Sequence, residues 1–194
     1  MKIYEKTEAA ISLHGLGFIQ VQLGAEQRLH VWHPGLPRRR CWEASSIHDH
    51  RFGFDSLVLV GRQINRTYAF EPCLDEAQQT HIGYLHEGPR TAFGNRPWVP
   101  HLRLRQSMIV SREEVVAGQT YHMLPYVYHS TEPGGDGRVA TLMRKTSEAS
   151  EGAHSLCLKN VEPDADFNRF QLAPSQLWPF VEDVLGAAAM LEAA

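Results

Sequence analysis

The sequence predicts an all-β fold, a barrel or sandwich of many short strands followed by one C-terminal helix. Three observations carry this. Short apolar or alternating runs recur at close spacing between Gly, Pro, Asp and Asn. Helical periodicity is missing until the C-terminal end. The 194 residues, 43% apolar and 21% charged, suit one domain with a full core.

The elements follow in order. Phe18 to Leu23 alternates, then Arg28 to Trp32, and His33-Pro34-Gly35 breaks the pattern. A strand carrying His48 and His50 runs on through Leu57-Val58-Leu59-Val60. Gly61-Arg62-Gln63 reads as a turn into Ile64 to Phe70, where Ile64, Arg66 and Tyr68 alternate with Asn65, Thr67 and Ala69. Further short strands are expected at Thr80 to Leu85, Leu102 to Arg105, Ser107 to Val110, Val115-Val116, Thr120 to Met123, Val139 to Met143 and His154 to Leu158. Ser175 can cap a helix from Gln176 to about Leu191, with Leu177, Phe180, Val181, Val184, Ala188 and Leu191 at helical spacing. Pro179 is expected in its first turn, and the stripe packs on the barrel as a lid or forms a dimer surface. No linker divides the chain, so residues 1–194 read as one domain, with a barrel core of about 15–160 and a helical segment of about 175–192.

Composition excludes several functions. A net charge of −3 and a pI near 6.4 give no footprint for nucleic acid. The dense basic run Arg38-Arg39-Arg40 reads as a solvated loop. Three scattered cysteines, Cys41, Cys73 and Cys157, fit a reducing cytoplasm and make no Cys-x-x-Cys pair. The start, Met1 to Lys6, is too polar for a signal peptide, and no window approaches a membrane span. The chain therefore reads as cytoplasmic, with a small molecule as its partner.

The chemistry concentrates at His48 and His50. Residues two apart on a strand share a face about 6–7 Å apart. Two imidazoles so placed are part of a metal site, and His129 is the candidate third ligand from a second strand. His122 is its rival. Imidazole suits iron, nickel, copper, zinc and manganese, and three ligands on one side leave positions open. Tyr68, Tyr121, Tyr126 and Tyr128 could place a hydroxyl near such an ion. The other histidines read as ordinary: His30 and His33 flank Trp32, His101 shares a solvated face with Arg103 and Arg105, and His14, His81, His86 and His154 show no pattern. No Gly-x-Ser-x-Gly, P-loop, dinucleotide fingerprint or His-Glu-x-x-His occurs.

His48-x-His50, three residues, Phe54, six residues and Gly61 resemble the first cupin motif, with Phe54 where that motif has Glu. Asp55 follows it and should face outward unless Gly53 makes a bulge. Gly118, Pro125 and His129 resemble the second motif, one residue short between Pro and His and without the later Asn. Within cupins the chain looks most like the cysteine dioxygenase (thiol dioxygenase) branch. The match is Val31-Trp32-His33-Pro34-Gly35, Ser46-Ile47-His48-Asp49-His50, Leu57 to Gly61, and Tyr121 with His129 eight residues on. The resemblance implies a double-stranded β-helix (jelly-roll) barrel, often a homodimer. It implies a divalent metal, foremost Fe(II) with Zn, Ni or Mn as alternatives, held by His48, His50 and His129 without a carboxylate. It implies oxygen chemistry on a small acidic or thiol substrate, with Tyr121 or Tyr128 bonding the bound oxygen. The family's late His and Tyr are absent; Leu142 and Arg144 take their places. Its early carboxylate-binding Arg has no direct counterpart, and Arg28 or Arg144 can stand in. The alternatives are a non-redox metal cupin, an isomerase or hydrolase on a sugar-like or keto-acid substrate, and a binding module.

Overall fold

A computed structural model describes residues 11–186. The fold class is the expected all-β one: two curled antiparallel sheets form a barrel, with one C-terminal helix. One sheet has six strands, in the order β1 (Ile11–His14), β2 (Phe18–Gln22), β3 (Gln27–Trp32), β10 (Val139–Glu148), β4 (Phe52–Val60) and β8 (Thr120–Met123). The other runs β11 (Ala153–Leu158), β6 (His81–His86), β7 (Val99–Val116), β5 (Arg62–Pro72) and β9 (His129–Pro133). The helix, α1, spans Pro174–Leu185. None of the described helices is long and apolar enough to cross a membrane.

Strand alternation gives the first sheet two unlike faces. On β2 and β3, Ile19, Val21, Leu29 and Val31 point away from the barrel axis and are fully buried beneath Leu177, Trp178 and Val181 of α1. Burying each such side chain contributes about 1.5–3 kcal/mol. The intervening residues, Phe18, Gln20, Arg28, His30 and Trp32, point into the barrel. The helix therefore supplies the larger apolar core outside the sheet, as the expected lid does, and the inside can mix polar side chains with the smaller apolar clusters of Phe18 and Trp32 and of Phe52, Phe54 and Met143.

Four readings change. The three short runs between 102 and 116 are one 18-residue strand, β7, because β5 pairs with it along Leu104–Val116 and β6 with its start. The short strands β1 and β9 were not expected. The helix begins at Pro174, where Gln176 Oε1 accepts the Ala173 N–H at 2.9 Å in place of a Ser175 cap. Pro179 thus lies in the second turn, and the helix ends at Leu185 before Gly186 (φ 80°). Ala188, Leu191 and the rest of the expected helix lie outside the described residues. Finally, His48 and His50 precede β4 instead of lying on it.

That last difference positions the site. Residues 44–49 lie between β9 and β11 and join the two ends of the five-stranded sheet. His48 and His129 exchange both backbone hydrogen bonds, each at 2.9 Å. On the other side Leu156 N–H donates to Ile47 O at 2.8 Å and Asp49 N–H to His154 O at 3.0 Å. The segment thus closes the sheet with a short, doubly paired strap.

Candidate metal centre

His48, His50 and His129 meet inside the barrel, and one nitrogen from each lies within 4.8 Å of the others. The ring centres are 4.9 Å (His48–His50), 4.5 Å (His48–His129) and 5.1 Å (His50–His129) apart. The proton on two of the rings has a fixed place. His48 Nδ1 lies 2.9 Å from Ser46 O and His129 Nδ1 lies 2.8 Å from Val127 O. A carbonyl only accepts, so each Nδ1 carries the proton and each Nε2 presents a lone pair. Burial lowers the pKa of all three, and the neighbouring rings lower His48 and His50 further. At neutral pH three uncharged imidazoles converge. This donor set fits a divalent transition metal, with carbonyls orienting two of the ligands.

Several contacts hold the three histidines there. The His50 carbonyl accepts from Tyr126 N–H at 2.8 Å, and Tyr126 sits in the left-handed region at φ 60°, a conformation a bulky side chain rarely adopts. Asp49, between the two ligands, points the other way and is only 3% exposed. Its carboxylate accepts from the His154 backbone N–H at 2.6 Å and lies 3.1 Å from the His154 ring Nδ1. His154 Nε2 in turn lies 3.0 Å from His101 Nδ1.

Phe54 and Phe52 give His50 an apolar wall, with ring centres at 5.5 and 4.9 Å. Asp55 faces outward, as expected, and lies 2.7 Å from exposed His122. The sheet irregularity here falls on β10, between Lys145 and Ser147, opposite Gly53. Neither Asp55 nor His122 joins the three histidines.

A cavity of about 90 Å³ lies against the triad and is lined among others by Arg28, His30, Phe54, Tyr121 and Met143. Tyr121 is therefore brought to the site. Its hydroxyl oxygen accepts from Gln63 Nε2 at 2.8 Å, and burial raises its pKa. Tyr128 is not brought there. As the residue before His129 on extended chain it points to the opposite side, where its ring meets Phe70 at 5.4 Å and burial raises its pKa to about 12.

The two arginines separate in the same way. Arg28 lines the cavity, with its guanidinium 5.4 Å from the Phe52 ring centre and its buried Nε without a hydrogen-bond partner. Arg144 is on the outer face of β10, where it pairs in register with Asp55 and lines surface grooves with Glu26. The β10 residue facing the site is Met143, the register partner of Arg28. Leu142 and Arg144 thus do not occupy inward positions, because the strand's phase is set by Met143 and Thr141.

Three histidines that read as ordinary in the sequence, His14, His30 and His86, line the interior. His30 lines the cavity, and burial lowers its pKa to about 3. His14 stacks on Phe18 at 4.3 Å and His86 Nε2 lies 2.9 Å from Ser155 Oγ. The basic run is not uniformly solvated. Arg40 pairs with Asp164, but Arg39 is 7% exposed, lies over the Trp98 ring and donates to Ser45 O. The apolar phase of β3, with Leu29 and Val31 together, was the available signal for Arg28 and His30. No local signal marks Arg39.

No protein-family model matches the sequence, and no curated protein matches it. Among solved structures, the chain is similar to the crystal structure of hydroquinone 1,2-dioxygenase from Sphingomonas sp. TTNP3 with 4-hydroxybenzoate bound. The TM-score is 0.33 and the identity 11%, over 66% of this chain and 63% of that one. The likeness is one of partial shape.

Proposed function

We propose that this protein is a metal-dependent dioxygenase of cupin type that holds iron(II) with His48, His50 and His129 and acts on a small acidic molecule, a thiol acid of the cysteine dioxygenase kind being one candidate. The observation that carries the reading is the triad itself: three neutral imidazoles, no carboxylate, and nitrogens within 4.8 Å of one another. Iron(II) bound there would supply open coordination positions and one-electron chemistry toward oxygen.

The chain's own residues do the rest. Arg28 offers a guanidinium in the cavity that makes no ion pair with a described carboxylate, since Glu148, which acts on it electrostatically, pairs with Arg51; it is suited to hold a substrate carboxylate beside His50. Tyr121 stays protonated at neutral pH and can donate a hydrogen bond to an oxygen atom in the cavity, while Gln63 fixes the position of its hydroxyl. Phe52, Phe54 and Met143 exclude water from that side.

The test is metal content by mass spectrometry of freshly purified protein beside a His48→Ala/His50→Ala control, followed by oxygen-uptake screening with thiols and small acids. Near-stoichiometric iron that the control loses, with oxygen uptake, supports the proposal. Zinc, nickel or manganese without oxygen uptake replaces it with Lewis-acid chemistry. No metal in either sample after anaerobic reconstitution removes the site.

A further inference from the structure

Next to the triad the barrel interior widens into a cavity of about 240 Å³, which shares Arg28, His48 and His50 with the smaller one. Its wall is crowded with cations: Arg28, Arg39, Arg90, Arg96 and Arg169. Its two carboxylates are already engaged, Asp49 by His154 and Asp164 by Arg40. None of the five arginines makes an ion pair with a described carboxylate. Four of them are held by neutral oxygens. Arg169 donates to Leu13 O, Ser12 Oγ and Gln20 Oε1 at 3.0–3.3 Å, Arg96 to Gly88 O at 2.8 Å, Arg90 to Gly94 O and Arg39 to Ser45 O. The Nε atoms of Arg28 and Arg39 are buried with no partner.

Guanidinium groups around one cavity, offset only by Glu148 near Arg28 and Asp164 near Arg39, are costly, because burial strips water from each and like charges repel. Both effects are visible. Burial first, then the neighbouring arginines, lower the pKa of Arg28, Arg90 and Arg169, the last to about 10. An anion in the cavity would relieve the repulsion and fill the open donors. One carboxylate at Arg28 would leave Arg90 and Arg96 without an anion in the cavity; both line it and, together with Arg28 and Glu87, the groove beyond it.

We propose that the arginine-lined cavity takes an organic dianion, with one acidic group at Arg28 beside His50 and a second at Arg90 and Arg96. This deepens the function proposed above and rests on the triad cavity being the reaction site. The second group is a carboxylate or a phosphoryl group, since a guanidinium forks onto either.

The probes are butyrate, succinate and 3-phosphonopropionate, titrated by calorimetry at fixed ionic strength into metal-loaded and metal-free protein. Succinate or 3-phosphonopropionate should bind roughly tenfold or more tighter than butyrate, the worth of one further charge-assisted pair. The tighter of the two identifies the second group. An Arg90→Gln/Arg96→Gln variant should bring both dianions to the butyrate level and leave metal content unchanged. Binding of all three probes within about twofold, no binding at millimolar concentration, or a variant that keeps the preference would overturn the proposal. The charge series on the unaltered protein decides it even if the variant does not fold. A protein that lacks metal but prefers dianions defeats the dioxygenase reading alone; one that binds metal without the preference defeats this inference alone.

Discussion

Replacing His30 by glutamine should remove a defined part of the protein's sensitivity to acid. His30 faces the barrel interior from β3, with ring centres of Phe18 and Trp32 at 4.9 and 6.0 Å. Burial, with Arg28 and Arg169 nearby, lowers its pKa from 6.5 to about 3. The unfolded chain takes up that proton near pH 6.5 and the folded chain does not until about pH 3. Between those values the unfolded state holds more protons, so stability falls as pH falls. At pH 5 the gap below 6.5 is about 1.5 units, worth about 2 kcal/mol at about 1.36 kcal/mol per unit. Above pH 6.5 the penalty is absent. His30→Gln keeps a polar group of similar reach and cannot titrate. The assay is urea unfolding of metal-free protein at about pH 7.5 and about pH 5, for both proteins, with the linear extrapolation of each. His14, His48, His50 and His129 also have lowered pKa values and contribute to both falls. The difference between the falls isolates His30 and should be about 2 kcal/mol, the wild type falling further. Equal falls in the two proteins would refute the reasoning.

Other changes separate the site from its scaffold. Saturating metal at about a hundred times its Kd should raise the unfolding free energy by about 2.7 kcal/mol; calorimetric scans should show the rise in wild type and none in His129→Ala. Asp49→Asn weakens the hold on His154 and with it the strap carrying both ligands, so chelator competition should show metal affinity lower by roughly tenfold, the low end for residues that orient ligands. Leu177→Ala opens a cavity under α1 and should cost about 2–5 kcal/mol in denaturant unfolding, with metal stoichiometry unchanged because that contact lies outside the barrel.

Much of this was legible in the sequence where the residue type alone decides. The all-β class followed from short alternating runs, and His48, His50 and His129 do converge. What failed was strand phase and strand ends. Val139 to Met143 is nearly all apolar, so alternation could not say that Met143 faces inward and Arg144 outward; the register with Arg28 and Asp55 decides it. Tyr128 failed for a simpler reason: its neighbour His129 claims the inward position. The Arg39 environment depends on Trp98, Ser45 and Asp164, all distant in sequence or in a turn, and no local pattern carries that information.

The departure of His48 and His50 from a regular strand bears on how the site is built. A ligand pair in the middle of β4 would be held by ladders shared with the whole sheet. Here His48 is paired directly with His129, so two of the three candidate ligands fix one another through two backbone hydrogen bonds. Asp49 anchors the same strap to β11, and Tyr126 anchors it at His50. A barrel interior that is partly polar needs its larger apolar core elsewhere. The helix α1 meets that need by covering the outer face of β1, β2 and β3 with Leu177, Trp178 and Val181. Polar residues at His14, Gln20, Arg28 and His30 can then point inward, each one residue out of phase with the apolar positions beneath the helix. The C-terminal helix and the polar interior are two consequences of the same alternation.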